Sequence, residues 1–308
     1  MGDIAFVFPG QGAQYTGMGR ELYESSQAAR AVFDIAESAR PGTLEQCFSG
    51  SAAELAKTEN TQPCVFCVDL AAAQALQEAG VTADRLAGFS LGELAALAFA
   101  DAVTYEDGFN LVCKRAELMQ KASDEAPTGM AAVLRLTDET VADLCAGFEN
   151  VYPVNFNCDG QVVVAGAAHE LGLFMRHVKE TGGRAMPLKV GGGFHSPFMA
   201  KAARRFTETL TTFEIGHPQL PVYSNATAKP YDGDLRALMV KQIHSPVLWR
   251  ATIENMISAG VDTFIECGPG KTLCGLVSRI SHEARVFNVE DRASFDKTVY
   301  ELAAHDVM

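Results

Sequence analysis

Gly88-Phe89-Ser90-Leu91-Gly92 has the G-x-S-x-G spacing of a nucleophile elbow. Such a turn needs glycine two positions either side of the serine, because side chains there would collide with the tight backbone. It lifts the hydroxyl out of a sheet and aims the N-terminus of the next helix at it. The flanking residues fit this setting: Leu86 to Gly88 reads as a short strand entry, and LAALAFA after Glu93 reads as a helix. The pentapeptide also occurs by chance, as a Gly/Ser turn that only joins two elements. The strand–turn–helix context favours the nucleophile.

A serine nucleophile needs a base. Of the seven histidines, His195 has the most suggestive setting, Gly191-Gly192-Gly193-Phe194-His195-Ser196-Pro197. Its glycines permit close backbone approach, and Pro197 stiffens the exit. His169, His177, His282 and His305 sit in polar helical or terminal segments that read as solvated surface, and His217 precedes Pro218 in a turn. His244, in Gln242-Ile243-His244-Ser245-Pro246, stays a second candidate.

Two nucleotide-binding patterns fail on inspection. Gly10-Gln-Gly12-Ala-Gln-Tyr15 has tyrosine where a dinucleotide fingerprint needs its third glycine. Gly268-Pro269-Gly270-Lys271-Thr272 imitates the end of a P-loop, but Ile265 stands where the first glycine belongs. Cys64-Val65-Phe66-Cys67 has no second CxxC or histidine pair and lies in an apolar helix, so it reads as core; no metal site is expected.

The elements that must carry these residues alternate in type. Ile4 to Phe8, Leu86 to Gly88, Pro221 to Ser224 and Thr263 to Cys267 read as strands of a mostly parallel sheet. Residues 62–80 and 106–122 read as helices, the first with Val65, Leu70, Ala73 and Leu76 on or near one face and Gly80 as its stop. From DEAPTG onward the texture changes. Strands at Met130 to Leu136, Val151 to Asn155, Gln161 to Ala165 and Ala185 to Val190, with helices at 138–147 and 168–181, make a β-α-β-β-α-β unit of ferredoxin-like type. The expected organisation is α/β, with a large catalytic domain from residues 1–124 and 191–308 and an inserted small subdomain at 125–190.

Composition bounds the rest. The chain has 308 residues, 48% hydrophobic and 20% charged, an ordinary globular balance that excludes disorder and coiled coil. A formal net charge of −13 argues against nucleic acid or an anionic membrane as partner. Eight scattered cysteines do not form a disulfide framework, and no apolar stretch reaches 18 residues. The N-terminus lacks the basic segment of a signal peptide, so a cytoplasmic location is expected.

These pieces occur together in one family. FVFPGQGAQ, TQPC, GFSLGELAAL, LVCKRAELMQ, GMAAVL, VNFNCDGQVVVAG, GGFHSP, PVYSNATA, QIHSPVLW and FIECGPGKTLCGL run from residue 4 to about residue 280. In order and spacing the chain resembles the malonyl-CoA:acyl-carrier-protein transacylase family. The resemblance implies an α/β-hydrolase-like large domain carrying a ferredoxin-like subdomain. It puts Ser90 on the nucleophile, His195 on the base, and the backbone N–H groups of Gln11 and Leu91 on the oxyanion hole. Arg115 matches the arginine that grips the malonyl carboxylate, and Gln242 a glutamine beside the histidine. Asn155 and Asn157 match a motif on the pocket wall. Without the family match, Arg115 would read as a helix-surface arginine paired with Glu117 or a neighbour.

The implied reaction is ping-pong transfer of malonyl from malonyl-CoA to the phosphopantetheine thiol of acyl carrier protein, through a malonyl-serine, in fatty acid synthesis. No Asp or Glu completes a triad by motif, and the family orients its histidine with a backbone carbonyl. No cofactor is implied, since malonyl-CoA and the carrier arm are substrates. The family usually writes its elbow G-H-S-x-G; Phe89 replaces that histidine here, which changes the packing and polarity behind the turn. Phe194 before His195 resembles the malonyl-type version of its motif. Lys201, Arg204 and Arg205 share a helix face at i, i+3 and i+4, a candidate landing patch for an acidic carrier. Rival readings are a serine thioesterase, an acyltransferase serving a polyketide carrier, and a non-catalytic carrier-binding protein.

Overall fold

The computed structural model describes residues 2–305. Its first sheet is parallel and buried on both sides, which is why its strands read as continuous apolar runs. In chain order its strands are β1 (Asp3–Phe8), β2 (Arg85–Gly88), β7 (Val222–Tyr223), β8 (Val261–Cys267) and β9 (Arg285–Val289), arranged β7-β2-β1-β8-β9. β1 is central, with Ala5, Phe6, Val7 and Phe8 all fully buried. Two adjacent strands from the first hundred residues, β2 and β1, are flanked by three from the last hundred, so neither end of the chain completes the sheet alone.

The second sheet is antiparallel. It holds β3 (Thr128–Leu134), β4 (Val151–Cys158), β5 (Gln161–Ala167) and β6 (Arg184–Pro187) in the order β4-β5-β3-β6. Helices Asp138–Ala146 and Ala168–Glu180 cover one of its faces, burying Val141, Cys145, Leu171, Phe174 and Val178 against Ala131, Val133, Val162 and Val164. The molecule is thus mixed α/β, with separate parallel and antiparallel sheets. The antiparallel sheet is tied to the segment between helices Leu235–His244 and Trp249–Ser258, where Val247 N–H donates to Val154 O at 2.8 Å and Phe156 N–H donates to Val247 O at 3.0 Å.

Several expected elements differ in extent. The helix expected at 62–80 runs Thr58–Glu78 and contains Pro63 in its second turn. It is not one-sided: every residue from Thr61 to Ala73 is buried, Cys64 and Cys67 included. The small side chains of Ala71, Ala72 and Ala73 let helices Gln27–Ala39, Gly92–Phe99 and Tyr105–Asp124 pack around it. The strand expected at Ala185 to Val190 ends at Pro187; beyond Leu188 N–H, which bonds Met130 O at 2.9 Å, the chain leaves the sheet. Strand β9 was not anticipated, because RVFNV at a sheet edge is only half-buried and lacks a clear pattern.

Candidate active site

The elbow is built by backbone contact. A Cβ on Gly88 would lie 1.8 Å from the Gly92 carbonyl carbon, and one on Gly92 would lie 2.1 Å from Phe8 O, so only glycine fits at either place. Phe89 N–H donates to Phe8 O at 2.8 Å, tying the turn to the end of β1. Between the glycines Ser90 takes a left-handed φ of 55°, a conformation that costs a non-glycine residue about 1–2 kcal/mol. The helix Gly92–Phe99 starts immediately afterwards.

His195 reaches this serine from far along the chain. Its Nε2 lies 2.7 Å from Ser90 Oγ, and its Nδ1 lies 2.9 Å from the Gln242 main-chain carbonyl. A carbonyl only accepts, so Nδ1 carries the proton and Nε2 is left to accept from the serine hydroxyl. His195 is buried and has a φ of 59°. The glycine run before it is only partly a close approach. A Cβ on Gly192 would meet Ser123 Oγ at 2.1 Å, whereas one on Gly191 would meet nothing within 4 Å. Ser196 accepts from Phe198 N–H at 3.3 Å, capping the turn Pro197–Met199 that follows. Burial, and then the positive charge of Arg115, lower His195 to about 4, so it is neutral at physiological pH.

Arg115 is not a surface arginine. Glu117 pairs instead with Lys114 at 3.2 Å and Lys121 at 2.6 Å. The Arg115 side chain is fully buried, and its guanidinium donates to Gln62 Oε1 at 2.8 Å, Gln242 Oε1 at 2.9 Å and Ser90 Oγ at 3.2 Å. All three partners are neutral, and Nε has no partner. Burial lowers its pKa to about 10, against the opposing pull of Glu93, so it stays charged at neutral pH. A buried cation with neutral partners and a spare donor has the chemistry to accept an anion.

Gln242 serves the site three times. Its carbonyl orients His195, its Oε1 holds Arg115, and its Nε2 donates to Ser90 O at 2.5 Å. The N–H groups of Gln11 and Leu91 donate to no protein acceptor among the described residues. Gly10 packs on the elbow, where a Cβ would lie 2.4 Å from Phe89 O, and this brings Gln11 to its side; Gln11 Nε2 is anchored to Thr58 Oγ1 at 3.2 Å. Asn155 and Asn157 are buried on β4, each with Oδ1 unbonded. Phe89 packs edge-on against Trp249, with ring centroids 5.4 Å apart.

Other candidates lie elsewhere. His244, at the end of helix Leu235–His244, lines a separate cleft of about 580 Å³ with Lys241 and Arg236. In the basic patch, Lys201 pairs with Glu125 at 2.5 Å, while Arg204 and Arg205 are exposed without an ion pair among the described residues. The loop after β8 is filled by the protein's own carboxylates: Glu290 accepts from Gly270 N–H and Glu266 from Cys274 N–H, both at 2.8 Å. Among the described residues no cluster of metal-ligating side chains occurs.

Four contributors had no role assigned from sequence: Gln62, Glu93, Asn225 and Tyr231. Gln62 lies in TQPC, Glu93 follows the elbow, and Asn225 lies in PVYSNATA, so the motifs contained three of them. Nothing in spacing says that a polar residue a hundred positions away will face Arg115 or the elbow. Burial pushes the Glu93 carboxyl up to about 7, although Tyr231 Oη and Asn225 N–H both donate to it.

Comparison with known proteins agrees with this geometry. Residues 5–295 match the family model described as "Acyl transferase domain". The chain is 38% identical over 310 residues to the malonyl CoA-acyl carrier protein transacylase of Bacillus subtilis, covering 98% of each protein. It is 35% identical to the protein of that name from Staphylococcus aureus, covering 94% of this chain and 96% of that one. The crystal structure of the Clostridium perfringens transacylase superposes with a TM-score of 0.96 at 38% identity, over 99% of this chain and 98% of the other. A malonyl-transacylase solved in complex with a type II PKS acyl-carrier protein gives 0.93 at 33% identity, over 97% and 99%. On its match across nearly its whole length, the chain belongs to the acyl transferase domain family.

Proposed function

We propose that this chain is a malonyl-CoA:acyl-carrier-protein S-malonyltransferase, moving malonyl through a malonyl-serine to the phosphopantetheine thiol of acyl carrier protein and so supplying fatty acid synthesis. One observation carries this reading. Ser90 Oγ is within hydrogen-bond reach of both His195 Nε2, at 2.7 Å, and the buried cation Arg115, at 3.2 Å. A malonyl carboxylate is one carbon removed from the thioester carbonyl, so a carbonyl poised on Oγ puts that carboxylate beside the guanidinium.

His195 takes the Ser90 proton on Nε2 as Oγ attacks the thioester carbon, while Nδ1–H stays on the Gln242 carbonyl. The oxyanion is met by the N–H groups of Leu91 and Gln11, one donor of this kind being worth about 3 kcal/mol. The tetrahedral centre collapses and the CoA thiolate leaves with the proton from His195. The carrier thiol then repeats the sequence in reverse, giving up its proton to His195 and releasing Ser90. Arg115 supports the choice of acyl group, because acetyl would leave the guanidinium with neutral partners only. The chemistry needs no cofactor or metal beyond these residues.

The large catalytic body is assigned to residues 1–124 and 191–308 and is α/β-hydrolase-like, in keeping with an elbow at the end of a parallel strand. Residues 125–190 form a ferredoxin-like subdomain; the β-α-β-β-α-β order with β3 placed between β5 and β6 supports this. A cytoplasmic location is proposed; among the described residues no helix is long and apolar enough to cross a membrane.

The test is intact mass after mixing with malonyl-CoA alone. A malonyl adduct absent from Ser90→Ala, and discharged by holo-carrier rather than water, is the expected result. Carrier-independent CoA release would indicate a thioesterase, and no adduct on folded protein a binding protein. The relative solved with a type II PKS acyl-carrier protein favours one second reading, a polyketide carrier as acceptor. Comparing kcat/KM for the two carrier classes decides between them.

A further inference from the structure

Three polar groups of one buried residue converge on the back of the elbow. Asn225 is fully buried. Its Oδ1 accepts from Ser90 N–H at 2.7 Å, and its Nδ2 donates to Gly88 O at 2.6 Å. Its own N–H donates to Glu93 Oε2 at 2.6 Å, and its carbonyl accepts from Leu248 N–H at 2.9 Å. Glu93 is held in turn by the Tyr231 hydroxyl. The first three bonds straddle the turn: the end of β2, the serine itself and the first turn of the following helix. The fourth reaches the segment that follows helix Leu235–His244, the helix whose Gln242 carbonyl orients His195.

Two consequences follow. The left-handed φ of Ser90 is opposed by its own Cβ, and the Asn225 bonds to Ser90 N–H and to the Gly88 carbonyl hold that conformation in place. Further, Ser90 N–H already has an acceptor, so it is closed to an oxyanion. Leu91 N–H and Gln11 N–H remain open. We propose that Asn225 is the positioning residue of the acylation step: it locks Ser90 with Oγ toward His195 and reserves the oxyanion site for its two neighbours' N–H groups. The proposal rests on the acyl-transfer reading.

The full chain tests it through Asn225→Ala and Asn225→Asp. The rate of adduct formation on Ser90 is read by rapid quench and intact mass, and the adduct plateau counts acylatable molecules. Malonyl-CoA affinity is read separately on the Ser90→Ala background. Asn225→Ala is expected to slow acylation about 100-fold, the effect of a misplaced nucleophile, with affinity and plateau little changed. The Asp variant separates positioning from mere structural support. As a carboxylate it sets a lone pair against Gly88 O; protonated, it can donate there and still accept from Ser90. Its rate relative to wild type should therefore rise as pH falls. A residue that only supports the fold would lower the plateau and Tm while leaving the rate per acylatable molecule unchanged. An Asn225→Ala rate within about threefold of wild type, or an Asp-to-wild-type ratio flat with pH, would overturn the positioning role. No adduct on the wild-type chain would instead overturn the acyl-transfer reading, and this proposal with it.

Discussion

Replacing Arg115 with alanine tests the site at its most specific point. The guanidinium is fully buried among Gln62, Gln242 and Ser90, so the substrate carboxylate would be its only anionic hydrogen-bond partner. Charge-assisted hydrogen bonds contribute about 1.5–3 kcal/mol each, and a two-pronged pair, net of the neutral bonds it displaces, about 2–4 kcal/mol. That range corresponds to roughly 30- to 1,000-fold in kcat/KM for malonyl-CoA. Acetyl-CoA has no carboxylate to lose, so its kcat/KM should hold or rise. A second effect runs through the base. Arg115 is the second cause, after burial, of the low His195 pKa, so its removal raises that pKa and moves the acid limb of the profile to higher pH. The assay is CoA release with malonyl-CoA and acetyl-CoA in competition, across pH. A malonyl-to-acetyl ratio unchanged in folded Arg115→Ala would refute the carboxylate grip, whatever happens to the absolute rate.

Other outcomes follow from the same geometry. His195, lowered to about 4, is neutral above that value, so kcat/KM should stay flat down to about pH 5 and fall only below it; a midpoint near 6.5 would contradict the lowering of its pKa by burial and Arg115. Glu93 has a folded pKa of about 7 against 4.5 in the unfolded chain, so the stability of its protonated form is complete below 4.5 and lost as pH rises through 7. Denaturant unfolding of Glu93→Gln should therefore gain on wild type between pH 5 and 8, by up to about 3 kcal/mol, and a pH-independent difference would contradict the buried protonated carboxyl. Phe89→His restores the family's usual residue but breaks the edge-on pair with Trp249, which should lower stability by about 0.5–1.5 kcal/mol and leave the adduct rate unchanged. A markedly faster variant would show that Phe89 limits the chemistry.

Much of the site was legible because its parts depend on local sequence. The elbow requires glycine at 88 and 92 for a contact made within five residues, and the spacing states that requirement directly. Short apolar runs marked β1, β2 and β8, since a parallel strand covered on both faces is mostly apolar, although β8 also buries Thr263 and Glu266. Other features had no local trace. Periodicity suggested one apolar face for the helix Thr58–Glu78, but packing surrounds it, and only the neighbours decide how many faces are buried. Arg115 is the sharpest case. Read locally it is one more charged residue of a polar helix segment, whereas the fold buries Arg115 among residues 53 and 127 positions away.

A serine elbow and a glycine-flanked histidine in an α/β chain can be read from residue order, because turns and strands are specified by near neighbours. Tertiary structure alone decided the rest. It brought His195 rather than His244 to Ser90, set the Gln242 carbonyl against the histidine's other nitrogen, and turned a helical arginine into a buried cation beside Ser90. It also closed Ser90 N–H with Asn225, 135 residues away. The physical reason is that hydrogen bonding and desolvation depend on distance in space, and the chain brings these groups together only when both sheets are complete.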